Sequence, residues 1–162
     1  MAESIRRRAL ILALVVLTTI AADQLHKWYM LTVVDIANRP PIYVTDFFRL
    51  VMVWNQGVSF GMLSHDASYM VWGLILMAVT ISAILLRMAM KSPLAVERVA
   101  YGMIAGGALG NAIDRVRFGA VADFFHFYLG SFSWPAFNVA DASIFLGVVT
   151  LLWMMTFHPS KP

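Results

Sequence analysis

The sequence predicts an all-α membrane protein with four transmembrane helices, a small extracytoplasmic β element and an interfacial outer loop. The mean hydropathy is +0.75, and 60% of the 162 residues are apolar whereas only 13% are charged. This composition is too apolar for a soluble domain of this size. Four long apolar stretches each approach the roughly 20 residues that cross a hydrocarbon core as a helix. Cysteine is absent, which excludes disulfides and thiolate chemistry.

The four apolar stretches predict one integral membrane domain over residues 1–162. We expect transmembrane helices over about residues 9–30, 69–90, 96–113 and 140–157, which leaves outer segments over about 31–68 and 114–139. Asp23 and Lys27 follow the first stretch without a clean small-x-small site for signal-peptide cleavage. We therefore interpret this stretch as a retained helix.

The lysines and arginines orient these helices. Seven of the twelve precede the first helix, flank the short loop between the second and third, or follow the fourth: Arg6, Arg7, Arg8, Arg87, Lys91, Arg98 and Lys161. The cluster at residues 6–8 carries most weight under the positive-inside rule. Both termini are then cytoplasmic, and all seven aspartates lie outside: Asp23, Asp35, Asp46, Asp66, Asp114, Asp123 and Asp141.

The two outer segments differ in composition. Pro40 and Pro41 exclude a helix at the start of the first segment, and residues 43–54 are rich in Val, Phe and Tyr, which favour short strands. The second segment carries many aromatic residues between Asn111 and Asn138, which is typical of an interfacial loop. We expect a small β element that rests on the membrane.

Several outer aspartates are candidates for chemistry, because carboxylates at membrane depth are costly and are kept mostly for function. Asp123 lies between apolar neighbours, where desolvation should raise its pKa. Asp141 directly precedes an apolar helix, so Asn138 or Asp141 could simply cap that helix, although capping and catalysis are compatible. Two convergent carboxylates can share a proton and act on water.

The end of the third helix and the end of the first carry further candidates. Glycines recur every four positions before Asn111, and close helix packing alone would explain them. The amide of Asn111 suits an extended peptide backbone, and Asp114 beside Arg115 could form a structural ion pair. Asp23 and Lys27 could form an i,i+4 salt bridge, or the pair could orient a neighbour or contact substrate.

Other site chemistries find less support. Gly57-Val58-Ser59-Phe60-Gly61 fits G-x-S-x-G, but no convincing base accompanies Ser59. Asp123, His126 and Asp141 could form a metal site, although no H-E-x-x-H motif is present. The net charge is +3 and the basic residues are scattered, which disfavours nucleic acid as a partner. We expect neither a metal nor another cofactor.

Five sequence blocks together resemble those of the bacterial lipoprotein signal peptidases (signal peptidase II). The blocks are Asp23 with Lys27, Asn55-x-Gly57-x-x-Phe60, Gly106-Gly107-x-x-Gly110-Asn111-x-x-Asp114-Arg115, Val121-Ala122-Asp123-Phe124 and Phe137-Asn138-Val139-Ala140-Asp141. Their order, spacing and topology agree with the family over nearly the whole chain. Each block alone is a weak signal, but five blocks in register are specific.

The resemblance implies an aspartic endopeptidase of the bacterial inner membrane with Asp123 and Asp141 as its dyad at the periplasmic face. The implied substrate is a prolipoprotein whose cysteine bears a diacylglyceryl group, cut just before that cysteine; the implied inhibitor is the cyclic peptide globomycin. The residues implied to hold substrate or steady the dyad are Asn55, Gly57, Asn111, Arg115 and Asn138, with Asp23, Lys27 and Asp114 in support.

Two other classes remain open at this point. A small proton-coupled transporter would use the aspartates as a relay, but it predicts acids spread through the membrane depth. A non-catalytic lipid-binding membrane subunit would show no turnover. A cleavage assay separates both classes from an enzyme.

Overall fold

Long helices alternate with a small antiparallel sheet in a computed structural model that describes residues 2–57 and 67–157. The helices are α1 (Ala2–Trp28), α2 (Ala67–Lys91), α3 (Ala95–Phe118) and α4 (Val139–Phe157). The strands are β1 (Ile42–Thr45), β2 (Phe48–Asn55), β3 (Val121–Leu129) and β4 (Phe132–Ser133). A π-helical turn at Tyr29–Val33 extends α1, and a 3₁₀ turn at Ile36–Asn38 leads into β1.

Three helical segments within the described ranges are long and apolar enough to cross a membrane, namely Ile5–Val33, Tyr69–Lys91 and Val139–Phe157. Helix α3 has 24 residues, but its glycines and charged side chains lower its hydropathy. It packs against α1, α2 and α4. It therefore lies between the three apolar helices.

The glycines of α3 allow its neighbours to approach closely. A Cβ on Gly107 would lie 2.5 Å from the carbonyl oxygen of Ala140 in α4, and one on Gly110 would lie 2.8 Å from Oδ2 of Asp23 in α1. Backbone or buried side-chain atoms occupy the space that a methyl group would need. Close packing of this kind is the role that the glycine repeat predicted.

Helix α3 continues beyond the end of its apolar stretch. The sequence predicts an end near residue 113, whereas the helix runs to Phe118 and ends at Gly119, whose φ of +72° lets its N–H donate to the carbonyl of Arg115. The last turns remain helical although they are polar, because Asp114 and Arg117 bind partners on α1. Asn111, Asp114 and Arg115 thus lie on regular helix.

The β element contains four strands in the order β1-β2-β3-β4, all antiparallel. The expected strands over residues 43–54 are confirmed as β1 and β2. The sequence predicts an interfacial loop between Asn111 and Asn138, and this prediction is wrong for Val121–Leu129, which forms a strand paired with β2. The pairing places Val53 opposite Asp123. The Phe and Tyr side chains of this strand, interpreted as interfacial aromatics, suit a pleated strand equally well.

A small apolar core fixes this sheet against the end of α1. Met30, Ile36, Ala122 and Phe124 are buried together there. Because strand side chains alternate between faces, the burial of Ala122 and Phe124 on one face directs Asp123 to the other. The sheet core therefore determines the direction of one candidate catalytic carboxylate.

Candidate active site

Asp123 is the third residue of β3 and is 1% exposed. Its Oδ1 accepts a hydrogen bond from Nδ2 of Asn138 at 2.7 Å, and its Oδ2 accepts one from Nδ2 of Asn55 at 3.0 Å. Burial raises the pKa of Asp123 to about 6; the hydrogen bond from Asn55 opposes this rise, and the charge of Asp141 adds to it. The raised pKa agrees with the desolvation that the apolar sequence neighbours predicted.

Asp141 lies in the first turn of α4, and the predicted capping role is confirmed. The N–H of Asp141 donates to Oδ1 of Asn138 at 3.0 Å, and the N–H of Asn138 donates to Oδ2 of Asp141 at 3.2 Å. These reciprocal bonds form a capping box, which satisfies amides that a helix start leaves without partners. The cap also fixes the carboxylate of Asp141.

Asn138 brings the two carboxylates to one place. It is fully buried, its side-chain amide donates to Asp123, and its backbone amide donates to Asp141. Nδ2 of Asn111 donates to Oδ1 of Asp141 at 2.8 Å, while Oδ1 of Asn111 accepts from Nδ2 of Asn138 at 3.1 Å. Two amides and two carboxylates thus form one connected network.

A buried ion cluster lies behind this network. Nζ of Lys27 is 2.8 Å from Oδ2 of Asp23 and 2.7 Å from Oδ2 of Asp114. It also donates to Oδ1 of Asn111 at 3.3 Å. Lys27 is 1% exposed and both carboxylates are fully buried, so the three groups act on their neighbours and are out of reach of a substrate.

Two predictions about this cluster have different outcomes. The i,i+4 salt bridge between Asp23 and Lys27 is confirmed. The suggested ion pair between Asp114 and Arg115 is wrong, because among the described residues Asp114 pairs with Lys27. Successive residues point about 100° apart on an α-helix, so Asp114 faces α1 while Arg115 points to another side.

The buried carboxylates also hold the backbone next to Asp123 and Asp141. Oδ1 of Asp23 accepts from the N–H of Ala140 at 3.0 Å, and Oδ2 of Asp114 accepts from the N–H of Ala122 at 3.2 Å. Ala140 directly precedes Asp141, and Ala122 directly precedes Asp123. Because Lys27 joins the two carboxylates, it ties α4 to β3 on the rear side of the site.

Asn55, which binds Asp123, lies near Gly57 and Arg115. The N–H of Gly57 donates to Oδ1 of Asn55 at 2.8 Å, which directs the amide nitrogen of Asn55 toward Asp123. Gly57 has a φ of +85°, and a Cβ there would lie 2.5 Å from Cδ1 of Leu74 and 3.5 Å from Nη2 of Arg115. Nη1 of Arg115 donates to the carbonyl of Asn111 at 3.3 Å, and its buried Nε has no partner among the described residues.

The geometry around His126 does not support the metal site that the sequence leaves open. Nδ1 of His126 accepts from Nε of Arg49 at 2.9 Å, and its Nε2 lies 2.7 Å from Oγ of Ser133. The metal site suggested for Asp123, His126 and Asp141 is therefore wrong, because both imidazole nitrogens of His126 are engaged away from the dyad. No group of three or more His, Asp or Glu residues that could hold a metal ion occurs in the ranges 2–57 and 67–157. Ser59 and Phe60 lie outside the described residues.

Sequence reasoning missed one polar residue of the site. Nε2 of Gln24 donates to Oδ1 of Asp114 at 2.9 Å and to Oδ2 of Asp23 at 3.1 Å. Its Oε1 accepts from Nη1 of Arg117 at 3.2 Å. A neutral glutamine beside a charged residue carries no sequence signal, and only the packing of α1 on α3 reveals these contacts.

Comparison with known proteins identifies the family of the chain. The sequence profile described as Signal peptidase (SPase) II matches residues 15–157. The lipoprotein signal peptidase of Methylocella silvestris is 40% identical over 145 residues, covering 90% of this chain and 85% of the relative. The lipoprotein signal peptidase of Methylorubrum extorquens is 43% identical over 141 residues, covering 84% of this chain and 80% of the relative.

A solved structure shares the fold. A bacterial membrane enzyme determined by the in meso method at 1.9 Å resolution superposes with a TM-score of 0.77 at 26% identity, covering 91% of this chain and 93% of that chain. These similarities confirm an enzyme over a transporter or a non-catalytic lipid-binding subunit. They also indicate an integral membrane protein. The chain belongs to the signal peptidase II family of membrane aspartic peptidases.

Proposed function

We propose that Asp123 and Asp141 are the catalytic dyad of this peptidase. We further propose that its substrate is a diacylglyceryl-modified prolipoprotein, cut on the amino side of the lipidated cysteine. The observation that carries the dyad is the double donation by Asn138, whose side-chain amide binds Asp123 and whose backbone amide binds Asp141. Relatives named lipoprotein signal peptidase support the substrate class.

In the proposed mechanism the two carboxylates share one proton, since two adjacent carboxylates cannot both ionise cheaply. Asp123 is the better holder of that proton, because burial raises its pKa to about 6. Asp141 is partly exposed, and the donors Asn111 and Asn138 fix the position of its carboxylate.

The two acids then divide the proton transfers of hydrolysis between them. Asp141 takes a proton from water as the water oxygen attacks the scissile carbonyl carbon, and Asp123 donates its proton to the carbonyl oxygen. In the second step Asp141 returns a proton to the leaving nitrogen as the C–N bond breaks, while Asp123 recovers a proton from the hydroxyl. The enzyme ends in its starting protonation state.

Arg115, Asn111, Asn55 and Gly57 would position the substrate. Arg115 is partly exposed, and its guanidinium, which lies near Asn111 and Gly57, would donate to a substrate backbone carbonyl. Asn55 and Gly57 are exposed, and Asn55 binds Asp123, so an extended peptide would reach the dyad along them. Binding that orients the scissile bond toward the two acids lowers the activation barrier of hydrolysis.

We propose that α3 also spans the membrane, which makes four transmembrane helices in all, and that both termini are cytoplasmic. The short-range arginine cluster at residues 6–8 supports this orientation. The dyad would then lie at the periplasmic face of the bacterial inner membrane, with substrate lipid against the apolar helix surfaces, where Leu17, Leu76 and Leu152 are more than half exposed. Globomycin would inhibit by occupying the dyad region.

The test is processing of a purified precursor by the enzyme in proteoliposomes. Precursor with the diacylglyceryl group should yield a mature product that begins at the lipidated cysteine, as mass spectrometry can establish. The same precursor without the lipid should be cut much more slowly. Equal rates on both precursors would contradict the substrate assignment, and no product from the lipidated precursor would contradict the function.

A further inference from the structure

With both of its carboxylates ionised, the buried ion cluster carries one more negative charge than positive charge. Asp23 and Asp114 are two carboxylates, Lys27 is a single ammonium group, and none of the three is more than 1% exposed. An uncompensated buried charge costs several kcal/mol. The backbone amides of Ala122 and Ala140 offset part of this cost, but they are neutral donors.

Gln24 supplies a further group that faces both carboxylates. Its Nε2 lies 2.9 Å from Oδ1 of Asp114 and 3.1 Å from Oδ2 of Asp23, and it also lies 3.3 Å from the carbonyl oxygen of Gly110. The positive end of one amide dipole is thus directed at the two acids, at the oxygens that do not accept from the backbone amides.

Arg117 strengthens this dipole from outside. Its Nη1 donates to Oε1 of Gln24 at 3.2 Å, and its guanidinium lies 4.7 Å from the centroid of the Phe118 ring. A cation on the carbonyl end of an amide polarises the N–H end, since hydrogen bonds in a chain reinforce one another. Arg117 is exposed. This contact between Arg117 and Gln24, called the Arg117 relay below, therefore polarises the Gln24 amide toward the cluster without burying a second cation.

We propose that Gln24, polarised by Arg117, is a positioning residue for the catalytic dyad. It compensates the excess charge of the cluster, and the cluster in turn holds Ala122 and Ala140, the residues that directly precede Asp123 and Asp141. Loss of this compensation displaces both catalytic carboxylates together. The inference rests on the proposed dyad and goes beyond it by naming the groups that fix its geometry.

The test is a charge series at position 24, measured as kcat and KM on lipidated precursor with thermal unfolding in parallel. If compensation matters, Gln24→Lys keeps kcat within about threefold, Gln24→Met lowers it about tenfold and Gln24→Glu lowers it about a hundredfold, since hydrogen bonds to charged groups are stronger than those between neutral groups. KM stays within about twofold. If Gln24 only fills space, Met is the least harmful because it matches glutamine in length.

A kcat for Gln24→Met that equals or exceeds that of Gln24→Lys overturns the inference. If Gln24→Glu does not fold, the comparison of Lys with Met still decides. Leu25→Met, at a neighbouring residue that is 64% exposed, is the matched control and should behave as wild type.

The Arg117 relay has its own variants, which alter only an exposed side chain. Arg117→Met should lower kcat about threefold, as expected for a weakened hydrogen bond, and Arg117→Lys should restore it by returning a charged donor. An unchanged kcat in Arg117→Met overturns the relay. Failure of the proposed function is a separate result, because in that case the wild-type enzyme yields no product at all.

Discussion

Replacement of Asn55 by alanine should move the pH dependence of the enzyme upward. The hydrogen bond that Asn55 donates to Oδ2 of Asp123, 3.0 Å long, opposes the rise of the Asp123 pKa to about 6. Without it the pKa rises further. In the proposed mechanism the active form carries a proton on Asp123, so activity is present below this pKa and is lost as pH rises through it.

The size of the effect follows from the contact. A hydrogen bond to a charged group is worth about 1.5–3 kcal/mol, and about 1.4 kcal/mol corresponds to one pH unit. Asn55 is exposed, so water replaces part of the lost bond and the lower end applies. The alkaline limb of kcat/KM, which reports the free enzyme, should therefore move up by about one pH unit.

The assay is cleavage of lipidated precursor across pH 4 to 9, with kcat/KM fitted for wild type and variant. Asn38→Ala is the matched control, because the amide of Asn38 also donates to a carboxylate, that of Asp35, at 2.9 Å on an exposed surface. The control should leave the limb in place. An alkaline limb that stays fixed or moves down in Asn55→Ala would refute the assignment of Asp123 as the protonated acid.

Two further predictions concern stability and loop geometry. The raised pKa of Asp123 means that its contribution to folding is fully present below the ordinary value of 3.8 and is lost as pH rises through about 6. Wild type should therefore lose up to about 3 kcal/mol relative to Asp123→Asn between pH 4 and pH 7 in chemical unfolding; parallel curves would contradict this. Gly57→Ala should lower kcat/KM about tenfold, because strain of about 1–2 kcal/mol at φ +85° and contact with Leu74 disturb the loop that orients Asn55. The matched control Gly130→Ala has a φ of +57° with open space around it, so an equal loss of activity in both variants would show that the effect is strain alone.

Much of the architecture follows from local sequence signals. Apolar length predicts four membrane helices, of which three in the described part of the chain satisfy the criteria for a span. The Asn138 to Asp141 spacing predicts a cap that the structure contains. The i,i+4 spacing of Asp23 and Lys27 predicts their salt bridge. Each of these features depends on residues within a single helix or at its end.

Features that depend on distant partners are not readable in the same way. β3 pairs with β2, whose residues lie about 70 positions earlier in the chain, so an aromatic strand was interpreted as an interfacial loop. Asp114 binds Lys27 across two helices, although Arg115 is its sequence neighbour. The approach of α1 to α3, made possible by Gly110, decides that pairing. The role of Gln24 follows from the same approach.

The direct test of the dyad is single-turnover cleavage by Asp123→Asn, Asp141→Asn and the double variant, each verified to be folded by its unfolding temperature. Because the two acids act as one unit, each single variant should lose at least about a thousandfold in rate and the double variant should lose no more. Near-normal turnover by either single variant, in folded protein, would contradict the assignment of the dyad.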